Sequence, residues 1–130
     1  MRQTYVDVLR KRYRIIDPLS QGRPSMFIAT VRVPTAHASR YLQQLCKHWS
    51  HNLAVTFTET EGTVTFPRNA RGADWPGDAT LALKAQPDGL DCRLEASAAE
   101  QREALKGAVA RHLDRFAFRE APLAFDWRDA

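Results

Sequence analysis

The stretch ATLALKAQPDGLDCRLEASAAE, residues 79–100, decides the fold. Leu81, Leu83 and Ala85 alternate with Ala82 and Lys84, the period of two that marks a strand with one apolar and one polar face. Asp88-Gly89 is a hairpin signal, and Leu90, Cys92, Leu94 and Ala96 carry the inward face back along a return strand. Ser97-Ala-Ala-Glu100 has the form of a capping box, in which the serine oxygen accepts from an amide in the first turn while the glutamate reaches back. The helix it opens runs to about Phe116, with Ala98, Leu105, Ala108, Val109, His112 and Phe116 on one face. Two-faced strands followed by a one-faced helix predict an antiparallel sheet covered on one side only.

Working outward, the same grammar repeats. Phe27, Ala29, Val31 and Val33 alternate with Ile28, Thr30 and Arg32 in a first strand that Pro34 stops. Thr35 is the expected N-cap of a helix to about Ser50, with Ala38, Leu42, Leu45, Cys46 and Trp49 facing the core. Leu53, Val55 and Phe57 form the next inward set, Glu61-Gly62 supplies a turn, and Val64 and Phe66 continue. A long loop follows from Pro67 to Asp78, with Gly72, Trp75, Pro76 and Gly77. After Pro122, alternating Leu123, Phe125 and Trp127 read as a final strand. The predicted class is α+β, a two-layer sandwich of order β-α-β-β-β-β-α-β with both helices on one face of an antiparallel sheet.

Residues 26–130 make one domain in this reading, and residues 1–25 a basic arm cut off by Pro18, Gly22 and Pro24. The arm holds six basic and two acidic residues, and the remainder holds thirteen of each, so the net charge of +4 belongs to the arm. That weakens any case for the domain itself as a nucleic-acid binder, leaving the arm as the place for such an association. At 44% hydrophobic and 26% charged, the composition is that of a soluble globular protein. Cys46 and Cys92 show no paired spacing and read as reduced core thiols. No run approaches the ~18 apolar residues of a membrane span. With no secretory signal pattern at the start, the expected location is the cytoplasm.

Glycine loops for nucleotides, nucleophile elbows and HExxH are all missing from the sequence. Cys46, His48 and His51 suggest a metal site, but on a helix Cys46 and His48 are about 200° apart. Two histidines then remain, too few for a zinc site, so no metal or cofactor is expected. His37, Tyr41, Gln44, His48 and His51 form a polar border beside the apolar face of the first helix, suited either to solvent or to a ligand. His112 interrupts the apolar stripe of the second helix, either as a hydrogen-bonded core imidazole or as a ligand or proton-transfer group. If the helix ends converge, Lys47, His48, His51, His112, Arg115 and Arg119 form a cationic patch suited to a carboxylate, catecholate or phosphate. The open sheet face is rich in threonine and mixed charge. Its aromatics, Phe57, Phe66, Phe125 and Trp127, fall on the inward side, which argues against base stacking.

Three segments carry a family resemblance: TAHASRYLQQLCKHWSH from Thr35 to His51, QPDGL from Gln86 to Leu90, and HLDRFAFRE from His112 to Glu120. Across about residues 27–128 the chain resembles the bacterial domain of unknown function 2218. The basic arm and the 68–78 loop depart from that pattern. The resemblance implies a fold similar to TATA-binding-protein-like domains and the C-terminal domain of phosphohexomutases. The serine-glycine-threonine phosphate loop of those mutases is not present, so their chemistry does not carry over. It also implies a genomic association with flavin-dependent siderophore-interacting reductases. The leading expectation is therefore a non-enzymatic accessory or binding domain linked to siderophore-iron handling. Its partner would be such a reductase or a small anionic ligand, and its candidate contact residues are Tyr41, Lys47, His48, His51, His112, Arg115 and Arg119. A small enzyme with His112 or His48 as general base, and nucleic-acid association through the arm, are the alternatives.

Overall fold

The computed structural model describes residues 26–130, so the basic arm, and the nucleic-acid alternative that depends on it, lie outside the described residues. Six strands form one antiparallel sheet: β1 (Phe27–Pro34), β2 (Ala54–Phe57), β3 (Glu61–Phe66), β4 (Ala79–Gln86), β5 (Gly89–Ala96) and β6 (Arg128–Asp129). Their spatial order is β2-β3-β4-β5-β1-β6. Helices α1 (Ala38–Trp49) and α2 (Ala99–Phe116) lie against one face of it. The element order is the one read from the sequence, with a short 3-10 turn, Ala70–Gly72, added in the long loop.

The alternation of each strand explains the layering. Ala29, Val31, Val33, Val64, Leu81, Leu83, Cys92 and Leu94 are buried against Leu42, Leu45 and Cys46 of α1 and Val109 and Leu113 of α2. Burying a Leu or Val side chain contributes roughly 1.5–3 kcal/mol, so this shared cluster is the main reason the helices stay on the sheet. The four inward aromatics pack on the same cluster, as the alternation predicts.

Local boundaries differ from the sequence reading in five places, each with a physical reason. Thr35 lies two residues before the cap position, which His37 occupies; its hydroxyl accepts from the His37 N–H at 3.0 Å and donates to Glu120. Ser97 likewise precedes the cap of α2, and Gln101 rather than Glu100 reaches back to its amide, at 2.7 Å. The Ser97 hydroxyl is held instead by Gly77, which also accepts from Gln101, so the long loop is pinned to the start of α2.

Glu61 and Gly62 belong to β3, and the turn is Thr58–Thr60, where the Thr58 hydroxyl accepts from the amides of Thr60 and Glu61. Gly62 is needed for closeness: a Cβ there would stand 2.8 Å from Cys46 Sγ. The β4–β5 turn is Pro87-Asp88, with Gly89 already paired to Gln86 and lying against Arg32 and Val33. The final strand contracts to Arg128–Asp129. Leu123, Phe125 and Trp127 do alternate toward the core, but the Leu123 amide donates to Asp114 of α2 at 2.9 Å instead of joining a ladder. Asp129, on the helix side of β6, is bound by Lys106 at 2.7 Å and Arg102 at 3.2 Å. On α2 the buried stripe runs through Gln101, Val109 and Leu113, so His112 is at its margin, half-buried.

Candidate functional site

The helix ends do converge. The rings of His48 on α1 and His112 on α2 have centroids 5.3 Å apart, tilted by 47°. Phe116, one turn beyond His112, meets His48 edge-on at 5.8 Å. Trp49 backs His112 at 4.9 Å and is itself braced edge-on by Phe66 of β3 at 5.2 Å. The helical spacing from His112 to Phe116 and from Leu45 to Trp49 builds this frame, because residues four apart share a face.

His112 Nδ1 is 2.7 Å from the Ala108 carbonyl. A carbonyl can only accept, so His112 Nδ1 carries a proton and donates it there, leaving Nε2 as the ring atom free to meet a ligand. His48 is held below the usual imidazole range, first by loss of solvation against these rings and then by the charges of His112, Arg115 and His51. An anion placed among them would offset that repulsion and favour the charged imidazole. Lys47, His48 and Arg115 also occupy the last turns of their helices, where cations complement the dipoles. That ordinary role explains their sign but not the imidazole pairing.

The other predicted residues divide. His51 and Arg115 are close enough to influence His48, and Lys47 is exposed beside it. Among the described residues Lys47, Arg115 and Arg119 have no carboxylate partner, a state they share with Arg40, Arg71, Lys84 and Arg111. Arg119 lies over the exposed ring of Phe118, at 5.5 Å. Tyr41 is not a border residue: it is 5% exposed, and its hydroxyl donates to Glu120. Burial, then that bond to a carboxylate, raises the Tyr41 hydroxyl's pKa, and the bond holds Glu120 below the usual carboxylate range. Thr35 also donates to Glu120, at 3.0 and 3.1 Å, and His37 meets Tyr41 at 6.1 Å. This second polar cluster ties the chain after α2 to the start of α1. Glu120 was missed because nothing in its local sequence marks it; its partners are remote.

Cys46 and Cys92 are buried free thiols, with burial pushing Cys46 up to about 11. Among the described residues no three His, Cys, Asp or Glu side chains are grouped to hold a metal ion, and no helix is long and apolar enough to cross a membrane. A depression of about 640 Å³ lies on the face of the sheet opposite the helices, lined by Thr63, Ala82 and Thr30 among others.

Residues 30–128 match the sequence model of a family described as an uncharacterized protein conserved in bacteria, domain of unknown function 2218. The chain belongs to this family. Its DUF2218 domain is also similar to the NMR structure of PA4090 from Pseudomonas aeruginosa, with 30% identity and a TM-score of 0.60. That similarity covers 78% of this chain and 95% of the other. No curated protein matches. Within the DUF2218 match lie both polar clusters, the His48–His112 pair and the Tyr41–Glu120 pair.

Proposed function

We propose that the DUF2218 domain is a non-catalytic binding module that takes a small anion on the surface around His48 and His112. The observation that carries this is the imidazole pair at the converging helix ends, with Arg115 and His51 close enough to lower the pKa of His48. Imidazole and guanidinium groups grouped without a neutralising carboxylate suit carboxylate or catecholate oxygens, which accept several N–H bonds at once. Ferric siderophores present such oxygens. The reading therefore extends to siderophore-iron handling, with a flavin-dependent siderophore-interacting reductase as partner, on the strength of the family resemblance. Lys47 and Arg119 would add to the field around the ligand, while Tyr41 serves the fold.

The test is a titration of the full chain with a gallium tris-catecholate, a diamagnetic stand-in for the ferric complex, and separately with citrate and inorganic phosphate. Ring signals of His48, His51 and His112 are followed by NMR. Saturable shifts at His48 and His112, lost in His48→Ala and Arg115→Ala, are expected. Unmoved ring signals with all three anions would refute the site.

A further inference from the structure

The face of the sheet opposite the helices, which no described helix covers, carries a pattern visible only once the register is known. Glu61 pairs with Lys84, Lys84 with Asp91, and Asp91 with Arg32, so one cross-strand row over β3, β4, β5 and β1 alternates in sign. The next row reads Thr63, Ala82, Arg93, Thr30, with Arg128 of β6 beyond it. A third reads Thr65, Thr80, Glu95, Ile28. Within one copy Arg32 already binds Asp91 at 2.7 Å and Asp88 at 3.4 Å, and Arg93 binds Glu95 of its own strand at 2.9 Å.

We infer that this face docks a second copy of the same chain, related by a two-fold axis parallel to the strands between β4 and β5. Such an axis turns each row end for end. An alternating row with an even number of charges then faces its own opposite. Glu61 meets Arg32 of the second copy, and Lys84 meets Asp91. A row of three or five alternating charges would have set like against like. In the second row, Ala82 faces Arg93 of the other copy. Ala82 is exposed and lies in the floor of the 640 Å³ depression, which gives the incoming guanidinium room. In the third row Thr80 faces Glu95, a hydroxyl donor opposite a carboxylate. An isologous interface requires this kind of self-complementarity.

The size of the patch sets the strength. Four strands about 4.8 Å apart, with about six residues each at ~3.4 Å, give about 400 Å² of plane per copy. Two copies together then bury about 800 Å², below the roughly 1,200 Å² of stable specific interfaces, so the association is weak, concentration-dependent and sensitive to salt.

Sedimentation equilibrium of the full chain tests it. At about 0.05 M salt a reversible monomer–dimer equilibrium is expected, with a dissociation constant that rises on the order of tenfold at about 0.5 M. Lys84→Glu sets glutamate against Asp91 twice, and Asp91→Lys sets lysine against Lys84 twice, so each variant alone is monomeric. Mixed together, they restore both contacts, and a heterodimer is expected. Ala82→Arg, at an exposed position that forms no ion pair, blocks the central row without touching the fold. Circular dichroism confirms that each variant folds. A wild-type chain that stays monomeric at low salt, an Ala82→Arg variant that dimerises like wild type, or a mixture of folded charge variants that stays monomeric would each overturn the inference.

Discussion

Replacing Gly62 by alanine tests how closely α1 is set on the sheet. The added methyl would stand 2.8 Å from Cys46 Sγ, 3.3 Å from Phe57 Cβ and 3.6 Å from Leu42 Cδ2. An ordinary carbon–sulfur contact is close to an ångström longer than the first of these. Cys46 cannot move away easily: it is fully buried on a helix, where one of its three χ1 rotamers is largely closed. Inserting a methylene into a packed core costs about 1–3 kcal/mol. Against this, alanine lowers the entropy of the unfolded chain, worth about 0.4–1 kcal/mol. The balance is a loss of about 1–2 kcal/mol, or a fall in Tm of roughly 4–8 °C. Urea unfolding should show a lower midpoint with the slope unchanged. Adding Cys46→Ala should then return part of the loss, because the new methyl fills the space the sulfur leaves. A coupling of about 1 kcal/mol is expected from the double-mutant cycle. A stable Gly62→Ala, or two strictly additive effects, would show that α1 is not held at this distance by the glycine.

Three further outcomes are expected. The pKa of His48 is lowered in the fold, so the folded state resists its protonation: its stabilising contribution is intact above about pH 6.5 and lost as pH falls through the lower, folded value. Urea midpoints measured from pH 7.5 to 5.5 should fall less in His48→Gln than in wild type. Glu120 is held below the usual range by Tyr41, so its contribution is present at neutral pH and lost as acid passes below about pH 4.5. Tyr41→Phe should cost about 1 kcal/mol at pH 7 and flatten that acid limb in urea titrations. Asp129→Asn should loosen β6, since it weakens the hold of Lys106 and Arg102; hydrogen exchange at the Ala130 amide, bonded to Ile28, should accelerate while β4 and β5 stay protected.

The fold was legible because each strand repeats with a period of two and each helix with a period near 3.6, and burial against one shared layer needs nothing more. What local sequence could not locate were groups whose reason lies elsewhere in the chain. Gly62 looks like a turn residue until Cys46 is placed above it. Thr35 and Ser97 look like caps, but their hydroxyls answer to Glu120 and Gly77. Leu113, not His112, completes the stripe of α2, and that shift puts the imidazole at the margin where it meets His48. No periodicity in the sequence dictates that the helix ends converge, and the ring contact supplies it. Tyr41 was assigned to the wrong cluster because its ring is apolar enough to bury while its hydroxyl still reaches a carboxylate.

The place of β1, between β5 and β6, fixes an order of assembly. Strands β2 to β5 follow one another as a meander and can close by local hairpins as soon as they exist. β1 precedes them all in the chain but finds its first partner only in β5 and its second only after α2. During synthesis its apolar row, Ala29, Val31 and Val33, therefore waits longest without a sheet to bury it. Closing so long a loop adds little to the final stability balance but slows the step. The first of the described strands to emerge is thus among the last to be seated, and early misassociation would fall on it.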